Sequence, residues 1–341
     1  MKNYPRGSKE LKQVFAQFSV AQTIDWFKLQ GVILKTEPDG RMFPVTDSSQ
    51  TIINCFLNLC KKHNIHIELS CEVFAIQKKE NVFHIKSNKG LIEADAIICA
   101  SGGHPKSEAY NWLANLGHTI DKPIPSLFTL NLPNENIKKE LQGVSVLNAQ
   151  LKIEGKKIDY TGPLLITHWG LSGPAVLKLS AFAAHTFFEL AYTSNIHINW
   201  VPDHHSASIL EELKIQREQK RKALPHSQAL FHLPKRLWEF LCIKSDINSD
   251  KPWAELTNKQ LQRLSENLCK SVYKMEGKTT FKEEFVTCGG INLKEVDFKT
   301  MQSKLVPGFF FCGEVLNIDG ITGGFNFQNA WSTAWVCGMN C

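Results

Sequence analysis

The sequence lacks several features that would each have assigned the protein to a class. No run of about 18 apolar residues occurs in the 341 residues, so we expect no transmembrane helix. The first residues, Met1 to Gly7, are polar and lack the apolar stretch of a secretory signal. None of the ten cysteines has C-x-x-C spacing, which argues against a zinc site or a redox dithiol. These absences favour a cytoplasmic protein with reduced thiols and with neither a membrane partner nor a metal.

The overall composition is that of a globular protein and says little about partners. Hydrophobic residues make up 43% and charged residues 21% of the chain, whose length suggests roughly two or three domains. The formal net charge of +6 is compatible with an anionic cofactor or a nucleic acid. It is equally compatible with a lysine-rich surface that binds neither. The net charge therefore does not identify the class of ligand. The sequence does not determine the oligomeric state either.

The first third of the chain has the pattern of an α/β domain. Ser19 and Gln22 match a capping box, which predicts a helix that begins there. A helix is predicted from about Ser48 to His63, and its predicted buried face comprises Ile52, Ile53, Phe56, Leu57 and Cys60. A half-buried strand follows, whose alternating apolar positions are Ile65, Ile67, Leu69, Cys71 and Val73. Residues 96–100 form a continuous apolar run, which is typical of a strand buried on both faces of a parallel sheet.

The pattern then changes and later returns. Residues 126–132, 144–153 and 157–167 indicate antiparallel strands with a tight turn at Glu154-Gly155-Lys156, and a helix is predicted to begin at Pro174. Residues 205–273 are helical and strongly charged, and glycine-rich strand signals return from Phe285. The predicted core residues of the helical region are Leu237, Phe240, Leu241, Leu261, Leu264 and Leu268. A parallel-sheet domain that is interrupted and resumed is common in flavoproteins. We therefore predict an FAD-binding domain in two parts, 1–122 and 281–341. Between them we predict an inserted β-barrel-like domain, 123–204, and a small helical domain, 205–280.

The strongest candidate for a ligand site lies near the end of the chain. A short apolar strand ends at Cys312, Gly313 and Glu314 follow, and Gly323-Gly324-Phe325-Asn326 leads into a helix. The free N–H groups of a helix N-terminus attract an anion, and glycines let the backbone approach it closely. A flavin offers both an anionic pyrophosphate and a ring that becomes negatively charged on reduction. The alternative is a structural strand–turn–helix corner.

Three further segments are weaker candidates on their own. Ser101-Gly102-Gly103 ends the buried strand, at the sheet edge where α/β proteins bind ligands, but it is also an ordinary turn. Arg41, in a loop with Phe43, is suited to a flavin or an anionic substrate, or is a surface arginine. His168 has a side chain able to transfer protons, whereas a histidine beside a tryptophan is more often structural.

One more motif is absent, and it bears directly on the flavin hypothesis. FAD-binding domains of the glutathione-reductase type begin with a strand, a G-x-G-x-x-G turn and a helix, and this turn occurs nowhere in the chain. We therefore expect an incomplete FAD domain whose first βα unit is absent. A truncated gene model, a fragment and a short natural variant would each explain it, and truncation at the N-terminus is the expectation that we favour.

Several motifs in the same order resemble those of the BaiN-like NAD(P)/FAD-dependent oxidoreductases, also called the aminoacetone oxidase family of FAD-binding enzymes. The stretches that carry this resemblance are Asp39–Asp47, Leu116–Thr119, Thr167–Pro174, Val286–Ile291 and Gly313–Gln328. The resemblance implies bound FAD, with NAD(P)H as a candidate reductant. It also implies main-chain contacts with the cofactor near Val73 and Ser101-Gly102, and further cofactor contacts from Gly313, Glu314, Gly324, Phe325 and Asn326. From the glycine-rich turn itself we add Gly323 as a cofactor-binding residue.

Two classes of function follow from these observations. In the first, the protein is a flavin-dependent oxidoreductase in which Arg41 orients the substrate and His168 donates a proton. Its substrate would be a small amine, a steroid-like enone or a base in RNA, and the basic charge makes uridine in ribosomal RNA worth testing. In the second, the chain is a non-catalytic remnant or binding module that does not hold FAD by itself.

Overall fold

A computed structural model describes residues 1–279 and 286–341 and divides the chain into two units. Unit 1 comprises Met1–Pro125 and Val286–Cys341, and unit 2 begins at Ser126 and is described up to Thr279. Each unit has helices and sheets of its own. The predicted return of strand signals at Phe285 begins outside the described residues.

The strands, in chain order, are β1 (Leu34–Thr36), β2 (Met42–Pro44), β3 (Val73–Lys79), β4 (Val82–Ser87), β5 (Gly90–Ala94), β6 (Ile97–Cys99), β7 (Ile120–Pro125), β8 (Thr129–Asn131), β9 (Ser145–Ile153), β10 (Asp159–Ile166), β11 (Gly170–Ser172), β12 (Thr193–Asn199), β13 (Ser271–Glu276), β14 (Lys278–Thr279), β15 (Thr287–Ile291), β16 (Val296–Asp297), β17 (Gln302–Ser303) and β18 (Phe309–Phe311). The α-helices are α1 (Leu11–Gln17), α2 (Val20–Leu29), α3 (Ser49–Lys62), α4 (Asn111–Ala114), α5 (Ile137–Glu140), α6 (Pro174–Phe182), α7 (Ala184–Glu189), α8 (Ser206–Gln219), α9 (Lys235–Lys244), α10 (Asn258–Lys270) and α11 (Phe325–Asn340). Short 3-10 helices span Ser107–Tyr110, Pro225–Ser227, Trp253–Glu255, Leu293–Glu295 and Gly313–Val315.

Unit 1 is built around a four-stranded sheet with the order β16-β17-β18-β6. Its central feature is the parallel pair β18 and β6, in which Phe309 lies opposite Ile97 and Phe311 opposite Cys99. Helix α11 packs against β18, and the Cys337 thiol lies 3.3 Å from the Phe311 carbonyl oxygen. A β3-β4-β5 meander and the pairs β15-β7 and β1-β2 complete the unit.

Local signals in the sequence place some of these helices correctly. Helix α2 begins with the predicted capping box, in which Ser19 Oγ accepts from the Gln22 N–H and Gln22 Oε1 accepts from the Ser19 N–H. Two backbone donors that a helix start leaves free are thereby satisfied. The predicted start of α6 at Pro174 is confirmed as well, because its ring is compatible with the first turn of a helix.

Three predictions of burial in unit 1 are wrong. Helix α3 forms as expected, but Cys55 is its buried residue, whereas Ile53, Phe56 and Leu57 are exposed. The predicted strand from Ile65 does not form; β3 begins at Val73, and the apolar side chains of the preceding segment face solvent. Strand β6 was predicted to be buried on both faces, yet Ile98 is 40% exposed. The face of α3 is covered in part by α2, because the Phe56 ring stacks on that of Trp26 at 5.7 Å.

Unit 2 contains an antiparallel seven-stranded sheet with the order β13-β12-β9-β10-β11-β8-β14. The long hairpin of β9 and β10 turns at the predicted Glu154-Gly155-Lys156. Helices α8, α9 and α10 share one hydrophobic core with this sheet. The predicted core leucines of these helices are fully buried, and they are Leu237, Leu241, Leu261, Leu264 and Leu268; Phe240 is only partly buried. Unit 2 thus takes in the regions 123–204 and 205–280, and the four-part division of the chain stays a prediction.

Candidate functional site

Two of the predicted ligand segments lie side by side in unit 1. Because β6 and β18 are parallel neighbours, the segments that follow them, Ser101-Gly102-Gly103 and Gly313-Glu314, leave the sheet at the same edge. The Cys312 N–H donates to the Cys99 carbonyl oxygen at 3.0 Å, which holds the two strand ends together. The structure therefore brings together residues that are about 200 positions apart in the chain.

Glu314 is held in this corner by the backbone of unit 1. Its Oε1 accepts from the Thr287 N–H at 2.8 Å. Burial raises the pKa of Glu314, and the bond from Thr287 opposes that rise. The contact of Glu314 with a cofactor stays a prediction, and one of its carboxylate oxygens already accepts a hydrogen bond from the protein.

Gly103 and Thr287 define the space beside Glu314. A Cβ at Gly103 would lie 2.5 Å from Thr287 Oγ1 and 3.0 Å from the Glu314 carboxyl carbon, so only glycine fits there. Thr287 Oγ1 is buried and has no hydrogen-bond partner among residues 1–279 and 286–341. A buried hydroxyl of this kind is costly unless something satisfies it, which makes it a candidate contact for a bound polar group.

The N-terminus of α11 forms the other side of the candidate site. Gly324 has φ +88°, a left-handed conformation that favours glycine, and it immediately precedes the helix. Thr322, Gly323 and Gly324 are exposed, and a Cβ at Gly324 would point into open space. The N–H groups of the first turn lack partners within the helix, so this end can accept a negatively charged group.

Asn326 fixes the loop that leads into α11. Its Oδ1 accepts from the Gly320 N–H at 2.7 Å, and its Nδ2 donates to the Gly320 carbonyl oxygen at 3.0 Å. Both ends of the amide are therefore used to hold the loop. Asn326 was predicted to contact the cofactor itself; its geometry is that of a residue that positions Gly323, Gly324 and Phe325.

A second anchor of this loop was missed at the level of sequence. Arg6 forms a two-pronged ion pair with Asp319, whose side chain is fully buried. Tyr4 donates its hydroxyl hydrogen to the Phe325 carbonyl oxygen at 2.8 Å. Residues more than 300 positions apart are joined here, and no local pattern around Arg6 signals such a partner.

Three other predicted site residues, Val73, Arg41 and His168, each have local surroundings of their own. Val73 begins β3, opposite Ser87, and is partly exposed. Arg41 lies in the β1–β2 turn, where it pairs with Asp39 at 2.7 Å and stacks 5.6 Å above the ring of Phe43. His168 belongs to unit 2, is exposed, and lies with its ring 4.1 Å from that of Trp169. Their catalytic and cofactor-binding roles stay predictions.

Two classes of site are absent from the part of the chain that the structure describes. Residues 1–279 and 286–341 contain no cluster of three or more histidine, cysteine or acidic side chains that could hold a metal ion. Within the same residues, no helix has both the length and the apolar character needed to cross a bilayer.

The residues present fit the ring end of a flavin. The α11 N-terminus offers donors for a ring that becomes anionic, Gly324 leaves room for close approach, and Thr287 Oγ1 offers an unused polar atom. A second glycine-rich turn of the G-x-G-x-x-G type, suited to a pyrophosphate, is not in the sequence.

Comparisons with known proteins give a consistent set of relatives. A family model described as the HI0933-like protein Rossmann domain matches residues 1–340. Ribosomal RNA dihydrouridine synthase of Escherichia coli is 30% identical over 337 residues, which covers 96% of this chain and 81% of that protein. The protein of the same name from Haemophilus influenzae is 27% identical, covering 97% and 82%. A 3-dehydro-bile acid delta(4,6)-reductase of Clostridium scindens is 24% identical, covering 96% and 81%.

Proposed function

The chain belongs to the HI0933-like Rossmann family of flavoprotein-type oxidoreductases, and from this premise we propose that it reduces a carbon–carbon double bond conjugated to a carbonyl group. The observation that carries the proposal is the exposed, glycine-flanked N-terminus of α11 beside the shared edge of β6 and β18. We further propose FAD as the cofactor, NAD(P)H as the reductant and uridine in ribosomal RNA as the substrate.

The names of the relatives describe one kind of chemistry. Dihydrouridine arises from uridine by reduction of the ring double bond that is conjugated to a carbonyl. A delta(4,6)-reductase of a 3-dehydro bile acid acts, by its name, on double bonds conjugated to the 3-oxo group. Such a reaction adds a hydride to the β-carbon and a proton to the α-carbon, and the electron pair of the double bond becomes the new C–H bond at the α-carbon.

A bound flavin would supply the hydride, and NAD(P)H would serve as the reductant of the oxidised flavin. The protein's own residues have three tasks in this proposal. The N–H groups at the start of α11 stabilise negative charge on the ring, because the helix dipole is positive at that end. Arg41 orients the substrate carbonyl through its guanidinium donors. His168 holds the proton that the α-carbon receives.

Uridine in RNA is favoured over a free enone by two considerations. The two relatives named for dihydrouridine synthesis are 30% and 27% identical, compared with 24% for the bile-acid reductase. The net charge of +6 also suits a polyanionic substrate. A steroid-like enone and a small amine remain the alternative substrate classes from the sequence.

The test combines a spectrum with an RNA measurement. Protein purified from its own cells is expected to show flavin absorbance bands, and ribosomal RNA from a strain that lacks the gene is expected to lose dihydrouridine. Reintroducing the gene should restore the modification, whereas a His168→Gln variant should restore much less. Unchanged dihydrouridine in the deletion strain rejects the substrate. Flavin-free protein under all conditions rejects the oxidoreductase and supports the alternative of a non-catalytic binding module.

A further inference from the structure

A short segment, residues 3–7, lies along the loop that leads into α11. Arg6 pairs with Asp319 in an isolated antiparallel bridge, and the Ile321 N–H donates to the Asn3 carbonyl oxygen at 2.9 Å. The side chains of Arg6 and Asp319 add an ion pair to these backbone contacts. The loop before α11 is therefore held by a segment that is more than 300 residues away in the sequence.

The ion pair of Arg6 with Asp319 differs from a surface contact in its burial. The Asp319 side chain is fully buried, and that of Arg6 is 14% exposed. Two guanidinium nitrogens of Arg6 each donate to one carboxylate oxygen, a two-pronged geometry that a lysine does not reproduce. Removal of the cation would leave a buried negative charge that is neither paired nor hydrated, which is strongly destabilising. The loop relieves that cost when it moves Asp319 towards water.

A movement of Asp319 would reach the start of α11. Four residues separate Asp319 from Gly324, which immediately precedes the helix. The residue next to Asp319 is Gly320, and both of its backbone groups are bonded to the Asn326 amide. The ion pair and the Asn326 bonds thus act on adjacent residues of one loop, so the loss of either should disturb the same structure.

The same segment also lies beside the first turn of α11 and beside β15. Tyr4 donates its hydroxyl hydrogen to the Phe325 carbonyl oxygen at 2.8 Å. Burial raises the pKa of the Cys288 thiol to about 12, and the positive charge of Arg6 opposes that rise, so Arg6 is close to β15. Cys288 follows Thr287, whose buried hydroxyl is a candidate contact for a bound polar group. Residues 3–7 therefore adjoin two of the elements that form the candidate site.

We infer that Arg6 and Asp319 are positioning residues of the flavin site. Their ion pair holds the loop in the conformation in which the N-terminus of α11 binds the negatively charged part of the cofactor. The inference rests on the proposed function, because that function assigns FAD to this site. Neither side chain has to touch the cofactor. Loss of the pair therefore weakens FAD binding by a chain that is still folded, whereas loss of a purely structural ion pair would lower stability and leave the affinity of the folded chain unchanged.

The first measurement follows the loop itself, in the full chain with no flavin present. Hydrogen–deuterium exchange read by mass spectrometry reports the protection of peptides that cover residues 316–326. Arg6→Gln should speed exchange there by about tenfold or more, because each tenfold corresponds to a modest loss of free energy. Peptides of α10 in unit 2 should exchange as in the native chain. Unchanged protection of residues 316–326 overturns the inference, whether or not the chain binds FAD.

The second measurement is the affinity of the folded chain for FAD, obtained from flavin fluorescence below the unfolding transition. Arg6→Gln should weaken binding by about tenfold or more. Arg6→Lys keeps a cation beside Asp319, so it should fold even if Arg6→Gln does not. It loses the two-pronged geometry and should weaken binding by about threefold or more. Circular dichroism and the urea midpoint show which variants are folded.

A double variant tests whether Arg6 and Asn326 act through the same loop. If they do, Arg6→Gln combined with Asn326→Ala should weaken FAD binding by less than the product of the two single effects, because the first change has already released the loop. A double effect equal to that product would assign Arg6 a role independent of the loop and would overturn the inference.

Arg217→Gln in unit 2 is the matched control. The Arg217 side chain is 21% exposed, and its guanidinium donates to the Leu256 carbonyl oxygen and to the Asn258 side chain. The variant should leave FAD affinity within about twofold. The inference is overturned if folded Arg6→Gln and Arg6→Lys bind FAD as tightly as the native chain. A native chain that binds no FAD rejects the proposed cofactor, and the exchange measurement then decides on its own whether the ion pair holds the loop.

Discussion

Unit 1 and unit 2 use the same kinds of apolar pattern with opposite results. In unit 2, the amphipathic helices α9 and α10 bury their leucines completely against the antiparallel sheet. In unit 1, α3 is just as regular an amphipathic helix, yet its apolar stripe is exposed. The patterns are therefore equally informative about secondary structure. The two units differ in whether the described residues include an element that packs over the whole apolar face of each helix.

A pair of leucines gives the largest expected contrast between the units. Leu264 in α10 is fully buried, and Leu264→Ala should lower the free energy of unfolding by about 2–5 kcal/mol because it leaves a cavity. Leu57 in α3 is 49% exposed, and Leu57→Ala should change it by no more than about 0.5 kcal/mol. Urea unfolding followed by tryptophan fluorescence measures both. Equal losses in the free energy of unfolding would mean that Leu57 is packed as tightly as Leu264. That result would contradict the difference between the two units.

The loop before α11 gives the next largest effect. Asn326→Ala removes both hydrogen bonds to Gly320 and leaves its backbone groups unsatisfied, which should cost unit 1 about 1–3 kcal/mol. Asn340→Ala is the matched control, because Asn340 makes one bond, to the Val336 carbonyl oxygen, at the other end of α11. Its effect should stay within about 0.5 kcal/mol. If the two variants unfold at the same urea concentration, Asn326 does not hold the loop.

The pH dependence of stability should also separate the units. In unit 1, His118 Nδ1 lies 3.0 Å from Glu295 Oε2 and its Nε2 lies 3.1 Å from Ser303 Oγ. The N–H groups of Leu305 and Val306 both donate to that Oγ, so the serine hydroxyl donates to Nε2 and the ring is neutral. Burial lowers the pKa of His118, and Glu295 opposes this only in part.

A histidine with a lowered pKa stabilises the fold above its ordinary pKa of about 6.5 and loses that contribution as the pH falls through this value. The midpoint of thermal unfolding should therefore decrease between pH 7 and pH 5, and His118→Gln should flatten that slope. An unchanged slope in the variant would show that another group carries the dependence. Glu295 is the titratable side chain that contacts this ring, whereas Ser303 and the Phe311 ring, its other neighbours, do not titrate in this range.

The smallest effect on stability is expected at Arg41. Its side chain is largely exposed and contacts only its own turn, so Arg41→Gln should change the free energy of unfolding by less than about 0.5 kcal/mol. If Arg41 orients the substrate, the same variant raises KM while kcat changes less. Steady-state kinetics with the loaded enzyme measures this, and unchanged KM would remove Arg41 from the proposal.

The comparison also shows what the sequence could and could not predict. Periodicity identified α3 and the leucine faces of α9 and α10. The spacing of Ser19 and Gln22 identified the capping box of α2. Each of these signals depends only on residues that are close in the sequence. The Gly313–Asn326 segment was identified because strand, glycine and helix signals follow one another directly. The ion pair of Arg6 with Asp319 and the bond from Thr287 to Glu314 join distant residues, and no local pattern carries them.

The exposure of Ile98 was not predictable for a different reason. The apolar run of β6 is typical of a strand whose two faces are both covered, and the run itself carries no signal for which elements cover them. The same holds for α3. Burial depends on the partner surface as well as on the residue.

The account's central claim is that the edge of β6 and β18, with the N-terminus of α11, is the flavin-facing part of a cofactor site. Titration of FAD into the purified chain after removal of any bound flavin, followed by quenching of flavin fluorescence, tests it most directly. Saturable binding is expected, and Asn326→Ala should weaken it by about tenfold or more, whereas Asn340→Ala should leave it unchanged. A folded chain that binds no FAD, or that binds it equally well with Asn326→Ala, would contradict the claim.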